Sequence, residues 1–448
     1  MKVSIMGAGY VGLVTGTCLA EKGVRVTCVD IDKEKVEKIN KGVPPIFEKD
    51  LEKLLKKNIH KRLFASIDLT KAVINSELSI IAVGTPFDGK RTDLSHVRKV
   101  ARDIGVALRE KDNYHVVVVK STVPPGTTDE VVLPILEKFS GKKAGKDFGV
   151  GMNPEFLREG CAIEDFMNPD RIVIGGIDKK TISKISELYE VFKGVDALTT
   201  NNKTAEMIKY ALNSLLATLI TFTNEIANIC ALTKDVDVKN VMEGVHLDKR
   251  FNPISGGGSR LKPGFLSYLE AGCGFGGSCL PKDVKSIISY AKGKGLDPVL
   301  LKSVIEINQK QPNKLIQLLN KHYGLENLNV AVLGLAFKPE TDDMRESPAI
   351  SVVKSLLKKG AHIKAYDPAA REEAKKIFGT DNVEYPDNLG EALANVDAVL
   401  LITRWKEFDN LDVLISKLKP QPLVIDGRRM LNKGDYERYE GVGLGGGL

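Results

Sequence analysis

Residues 2–12 read Lys2-Val3-Ser4-Ile5-Met6-Gly7-Ala8-Gly9-Tyr10-Val11-Gly12, an apolar run reaches Lys22, and a second strand-like run spans 24–30. This stretch decides the fold. A short β-type run, three glycines spaced Gly-x-Gly-x-x-Gly, a helix and a second strand make a βαβ unit. The glycines permit a tight turn and let an anionic group approach the helix N-terminus, where unpaired N–H groups and the helix dipole favour negative charge. Asp30 closes the second strand about 20 residues after the glycines, where a carboxylate accepts ribose hydroxyls and repels an extra phosphate. The expected ligand is therefore NAD rather than NADP, with contacts at Gly7, Gly9, Tyr10, Val11, Gly12 and Asp30. Lys35 is a further candidate on the adenosine side.

Outward from that unit, buried-strand patterns recur at 78–83, 116–120, 149–152 and 171–174, with helical segments between several of them. Such alternation predicts a parallel sheet covered on both faces. A second βα pattern begins at Asn329, with strands at 330–334, 362–366, 398–402 and 423–425 and a helix at 348–359. Between the two, 203–243 contains no glycine or proline, and Ile208, Leu212, Leu215, Leu219 and Phe222 recur at helical spacing. The expected fold class is α/β: two doubly wound Rossmann-like domains joined by a long central helix and a helical middle domain. The boundaries fall at 1–200 for the dinucleotide domain, 201–312 for the helical domain and 313–448 for the second Rossmann-like domain. The glycine-rich stretch 253–277 reads as loop, 282–292 as helix, and 441–448 as a flexible tail.

Composition narrows the function classes. The 448 residues carry 43% hydrophobic and 27% charged side chains, which excludes a disordered or fibrous chain. The net charge of +7 is spread along the chain without a basic block, so nucleic acid is not an expected partner. The six cysteines are scattered, with no Cys-x-x-Cys and no histidine to complete a zinc site, so neither a disulfide framework nor a metal centre is expected. The apolar stretch 210–224 is interrupted by Asn213, Ser214, Thr218 and Thr221 and is shorter than the about 20 residues a spanning helix needs. A soluble, cytoplasmic protein without membrane partners is the expectation.

Four constellations carry chemistry. Val83-Gly84-Thr85-Pro86 and Lys120-Ser121-Thr122-Val123-Pro124 each follow a predicted strand, where parallel sheets place ligand-facing loops, and nominate Thr85 and Thr122. Asn153-Pro154-Glu155-Phe156-Leu157-Arg158-Glu159-Gly160 puts two carboxylates on one face if the segment is helical. Lys209 and Asn213 have the same spacing on the central helix and suit an oxyanion or a proton in transit. Finally, Gly272-Cys273-Gly274-Phe275-Gly276-Gly277-Ser278-Cys279-Leu280-Pro281-Lys282-Asp283 places a thiol on a glycine-rich loop at the start of a helix. There backbone donors, the dipole and Lys282 favour the thiolate, and Asp283 is near enough to act on water. Cys18, Cys28, Cys161 and Cys230 read as small buried hydrophobes.

Together these residues resemble the UDP-glucose/GDP-mannose dehydrogenase family over nearly the whole chain, including Pro169-Asp170-Arg171 and the stretch 334–346. The resemblance implies four-electron oxidation of a nucleotide sugar to its carboxylate with two NAD per substrate. It implies Cys279 as nucleophile, with Thr122, Glu155, Glu159, Lys209, Asn213 and Asp283 around the sugar. Glu155, Phe156, Leu157, Phe275, Gly276, Lys338 and Arg428 would hold the nucleotide sugar, and Glu159, Lys282 and Arg345 would face NAD. It also implies a homodimer or higher homo-oligomer, with an arginine reaching into the partner's site. Arg250 is the matching residue, but 253–263 resembles an insertion, which makes Arg260 the alternative. Ser278 stands where relatives acting on UDP-N-acetylhexosamines carry histidine. Glu159-Gly160 and Pro169-Asp170-Arg171 resemble the UDP-glucose branch more than the GDP-mannose branch. A non-catalytic sensor of NAD or a nucleotide sugar is the alternative of a different class.

Overall fold

The computed structural model describes residues 1–446. It contains two sheets, each carried by its own compact unit. One unit is 1–212 with 289–294; the other is 213–288 with 295 onward.

The first sheet contains β1 (Lys2–Met6), β2 (Arg25–Val29), β3 (Leu63–Ser66), β4 (Leu78–Ile81), β5 (His115–Val119), β6 (Phe148–Met152), β7 (Arg171–Gly176) and β8 (Asp196–Thr200). Its order is β3-β2-β1-β4-β5-β6-β7-β8. Successive side chains feed opposite cores: Val116 and Val118 join one cluster, Val117 and Val119 the other. The doubly covered sheet is thus the reason β5 continues from His115 as four successive valines. One pairing departs from the all-parallel expectation, because β6 and β7 run antiparallel. Between them lie a loop and the short helix Ala162–Met167, and β7 enters from the end where β6 left.

The second sheet contains β9 (Asn329–Leu333), β10 (His362–Tyr366), β11 (Val383–Glu384), β12 (Ala398–Leu401), β13 (Leu423–Asp426) and β14 (Tyr439–Gly441), in the order β11-β10-β9-β12-β13-β14. It repeats the design, with Val330 and Val332 packed into one core and Ala331 and Leu333 into another. The tail expected to be flexible is ordered as far as it is described. Residues 439–441 pair with β13, Val442 is buried, Gly443 accepts from Val238 N at 3.0 Å, and Gly445 N donates to Val236 O at 2.7 Å. A side chain on Gly443 would collide with Val238 and Ala227, so this glycine serves close packing. Residues 447–448 lie outside the described residues.

The central helix spans Asn202–Ala231, 30 residues, and a second helix, Val238–His246, follows. By length and composition the first is long and apolar enough to cross a membrane, contrary to the sequence expectation. Of the polar residues expected to interrupt it, Thr218 and Thr221 turn their hydroxyls back onto the carbonyls of Ser214 and Ala217, and Asn213 donates to Asp283 Oδ2 at 2.6 Å. Its Glu206 and Lys209 are buried in polar contacts, and Asn224 accepts from Gly272 N at 2.8 Å, as suits a core helix.

Candidate active site

The N-terminal turn has the shape that a dinucleotide needs. Gly7 sits at φ +99°, and a β-carbon there would stand 2.7 Å from Ala82 O. One on Gly12 would stand 1.8 Å from Gly7 O, so only glycine lets the helix start this close to β1. Gly9, with no side chain to cap the helix Tyr10–Glu21, faces open space: nothing lies within 4 Å of a β-carbon built on it. The first-turn N–H groups are therefore available to a pyrophosphate. Asp30 Oδ2 accepts from Ala8 N at 2.9 Å and from Lys35 Nζ at 3.3 Å, which ties the carboxylate and Lys35 to the turn. These residues fit NAD. Val11 packs into the core below, and Tyr10 donates to the buried Glu48, which also accepts from Gly160 N at 2.7 Å and Ala162 N at 2.8 Å. Burial, and then Glu48 and Glu159, keep the Tyr10 hydroxyl protonated. Sequence reasoning gave no signal for Glu48.

The loops after β4 and β5 are stitched together. Thr85 Oγ1 donates to Thr122 O at 2.7 Å, and Ser121 Oγ to Val83 O at 2.7 Å. Residues 153–158 are not helical, so Glu155 and Glu159 do not share a helix face as the spacing suggested. They diverge. Glu155 pairs with Lys209 Nζ at 2.9 Å, both side chains buried, while Glu159 acts on Tyr10. Burial pushes the Glu155 carboxyl up, but Lys209, the Leu157 N–H and Lys120 outweigh it, so its pKa lies below the ordinary value. Phe156 carries the Arg171 guanidinium 4.0 Å from its ring centre, with Lys209 Nζ at 5.6 Å, and Leu157 packs into the core.

In the second unit the helix Leu280–Gly293 begins immediately after Cys279, whose thiol is half-buried with Ser278 Oγ at 3.6 Å. Asp283, fully buried, binds Lys282 Nζ through Oδ1 at 2.5 Å and Asn213 Nδ2 through Oδ2 at 2.6 Å. Both its oxygens hold and orient neighbours. At positions 276 and 277 the preceding loop admits only glycine. β-carbons on Gly276 and Gly277 would stand 2.4 Å from Glu346 O and 2.7 Å from the Phe337 ring, and Gly277 N donates to Arg345 O at 2.8 Å. Phe275 is clamped by Asn308, which accepts from its N at 2.8 Å and donates to its O at 2.9 Å.

Arg428 donates to Ile402 O at 2.5 Å and Gly274 O at 3.0 Å, which joins β12 to the thiol loop. Lys338 Nζ lies 5.8 Å from the centre of the Phe337 ring, and Arg345 forks onto Asp343 at 2.9 and 2.7 Å. The two candidate arginines, Arg250 before the insertion and Arg260 within it, behave differently. Arg260 closes its own hairpin, donating to Leu247 O at 2.7 Å and Asn252 O at 3.1 Å, whereas Arg250 is exposed and paired with Asp248. Cys18 and Cys28 are buried and their thiols are pushed up to about 12, mainly by that burial.

The chain matches the NAD-binding domain of the UDP-glucose/GDP-mannose dehydrogenase family at residues 1–193, its central domain at 203–310 and its UDP-binding domain at 331–433. The chain belongs to this family. It is 39% identical to the UDP-glucose 6-dehydrogenase AglM of Haloferax volcanii over 99% of this chain and 100% of that protein. It is 42% identical to the UDP-glucose 6-dehydrogenase TuaD of Bacillus subtilis over 96% and 90%. A solved UDP-glucose dehydrogenase from Pyrobaculum islandicum superimposes with a TM-score of 0.89 at 38% identity, covering 99% of this chain and 97% of that one. Lys120, Asn153 and Tyr189 form a buried network beside Glu155 that sequence reasoning did not select. The available signal was a lysine ending a strand of valines, a charge with nowhere to go but inward.

Proposed function

We propose that this enzyme oxidises UDP-glucose at C6 to UDP-glucuronate, a four-electron oxidation through a cysteine-bound intermediate. The observation that carries the chemistry is the central helix, on which Lys209, paired with Glu155, and Asn213, held by Asp283, stand one turn apart. Asp283 in turn lies four residues beyond Cys279. Two NAD, bound in succession, supply the acceptor for each pair of electrons.

Lys209 takes the hydroxyl proton as the alcohol becomes an aldehyde, and the Asn213 amide donates to the oxygen. The Cys279 thiolate then adds to the aldehyde carbon, giving a thiohemiacetal whose oxygen rests on the same two donors. Oxidation of that adduct leaves a thioester. Water, deprotonated by Glu155, adds to its carbon, the C–S bond breaks to restore the thiolate, and the acid so formed gives its remaining proton to solvent and leaves as the carboxylate. Asp283, occupied at both oxygens, fixes Asn213 and Lys282. Thr85, Thr122, Glu159, Lys282 and Arg345 are read as lining the NAD side, and Phe156, Leu157, Phe275, Gly276, Lys338 and Arg428 the nucleotide-sugar side.

The choice of UDP-glucose rests on the names of the relatives above and on Ser278 beside the thiol. Leu215, Phe222 and Ile229 recur every seventh residue on the central helix with 56%, 49% and 56% of their surface exposed, which supports a homodimer. Arg250, not spent on its own hairpin, is the better candidate to reach a partner's site.

The test is Cys279→Ala. The variant should still bind NAD and UDP-glucose yet lose turnover, while the wild type forms two NADH per sugar. Rapidly quenched wild type should carry the sugar nucleotide on the Cys279 peptide. Wild-type turnover in the variant, or one NADH per sugar, overturns the reading. Turnover of GDP-mannose in preference to UDP-glucose overturns the substrate alone.

A further inference from the structure

Lys120 follows β5 and is buried, although a lysine is almost never so placed without a reason. Its Nζ donates 2.8 Å to Asn153 Oδ1. The orientation of that amide is fixed, because Asn153 Nδ2 donates to Val173 O at 2.8 Å and leaves Oδ1 to Lys120 and the Tyr189 hydroxyl. The charged and titratable groups around Lys120 come from three elements. Glu155 comes from the loop after β6 and Lys209 from the central helix, both acting on it electrostatically, and Tyr189, held protonated by burial, comes from the helix Lys179–Tyr189. Glu206, one turn before Lys209, is directed elsewhere, onto Gly126 N at 2.5 Å and Thr128 N at 2.8 Å.

Lys209 thus pairs directly with the buried Glu155 carboxylate, and the Lys120 ammonium acts electrostatically on the same group. Enclosing an uncompensated cation is costly, and the usual relief is loss of a proton from the pair as a whole. We propose that Lys120 is a positioning residue for the proton transfer. Its ammonium competes with Lys209 for that carboxylate, so that the Lys209 amine can stand neutral and take the hydroxyl proton of the substrate. In that step the substrate O–H bond breaks and an N–H bond forms on Lys209, which returns the pair to its doubly protonated state until a proton leaves to solvent. The proposal rests on Lys209 as the base, as read above. Burial foremost, and then Lys209, push the Lys120 ammonium down to about 8 against the pull of Glu155.

The experiment is the pH dependence of NADH formation from UDP-glucose by the full chain and by Lys120→Met, Lys120→Arg and Lys209→Met. Wild-type activity should rise with pH to a plateau. In Lys120→Met, with the competing ammonium gone, the inflection should move up by a unit or more, a loss of about tenfold at pH 7 that is regained at high pH. Lys120→Arg, permanently charged, should keep the inflection at or below that of wild type. A Lys120→Met profile scaled down equally at every pH would mean a merely structural role and overturn the proposal. Lys209→Met with an unmoved inflection would remove the base assignment itself, and the proposal with it. If Lys120→Met does not fold, NMR titration of wild-type protein labelled at lysine Cε decides. Two coupled lysines, with Lys209 the first to lose its proton, support the proposal; loss from Lys120 first, or buried lysines titrating independently above about pH 10, overturns it.

Discussion

The molecule uses one turn twice. Gly7 follows β1 with its N–H on Val29 O at 2.8 Å, and Gly334 follows β9 with its N–H on Tyr366 O at 2.8 Å. Both have positive φ, and each turn is gripped by an aspartate after the neighbouring strand, Asp30 in one and Asp367 in the other. They differ in what is left over. Asp367 is buried and accepts from Leu335 N, Ala336 N, Ala369 N, Ala370 N and Trp405 Nε1, all between 2.7 and 3.0 Å. The helix after Gly334 starts only at Pro348, and Ser347 caps it. Asp30 is partly exposed and less encumbered, and the helix after Gly7 starts at Tyr10 behind an uncapped glycine. The same device is left open for a ligand in one sheet and closed by the protein's own groups in the other. A glycine turn with an aspartate is thus not in itself a dinucleotide site.

The largest expected effect tests the closed turn. Asp367→Ala strips five donors of their acceptor, and buried unsatisfied donors cost about 1–3 kcal/mol each, not additively. Urea unfolding should report a loss of at least about 3 kcal/mol, with the KM for NAD unchanged in whatever remains folded. A rise in that KM with intact stability would make the second turn a cofactor site and break the comparison.

Next comes acid. The first sheet buries Ser4, Ser79 and His115, with Ser79 Oγ 2.8 Å from His115 Nε2, and burial pushes the imidazole down to about 3. The unfolded chain takes up this proton below about pH 6.5 and the folded one does not, so the stability is present above that pH and lost as pH falls toward 3. By about pH 4 the loss is on the order of 3 kcal/mol. His115→Gln should flatten the dependence between pH 4 and 6.5 in thermal melts; an unchanged slope would place the acid sensitivity elsewhere.

Most of this architecture was legible in the chain. Period and glycine spacing located β1, β2, β4, β5, β9, β10, β12 and the central helix, because each is either doubly buried or strongly amphipathic. Short or exposed strands escaped: β8 has four of its five residues exposed and carries no apolar pattern. Among site residues, the thiol loop and Lys209 stood out as unusual types in unusual places. Glu48 and Asn153 did not, since their roles arise from contacts 112 and 33 residues away in sequence. The divergence of Glu155 from Glu159 was hidden because spacing describes a helix, and the segment is a loop.

The open turn predicts a smaller, selective effect. Asp30→Ala should leave stability nearly intact but raise the KM for NAD, since charge-assisted hydrogen bonds to the ribose are worth about 1.5–3 kcal/mol. Loss of its charge should also narrow the preference over NADP. Equal, unaltered KM values for both cofactors would remove Asp30 from the site.

The smallest effect sharpens the comparison most, because it tries to turn each helix start into the other. Ser347 caps the helix Pro348–Lys358 by accepting from Ala349 N at 3.2 Å while its hydroxyl donates to Leu335 O at 2.7 Å. Ser347→Ala should cost about 1 kcal/mol, a fall of about 2–4 °C in Tm, and leave NAD binding alone. The converse is Gly9→Ser. Gly9 has φ −77° and ψ −165°, an extended conformation any residue adopts, and a β-carbon there meets nothing within 4 Å, so the variant should fold. Its hydroxyl would cap the first-turn N–H groups, adding a few tenths of a kcal/mol to about 1 kcal/mol of stability without cofactor. Those are the donors assigned to the pyrophosphate, so NAD should bind more weakly even as the protein without it melts higher. Calorimetric titration with NAD beside thermal melts reads both quantities. Opposite changes in the two are expected, and a Gly9→Ser protein that binds NAD as the wild type does would mean that the open helix end is not where the cofactor is held.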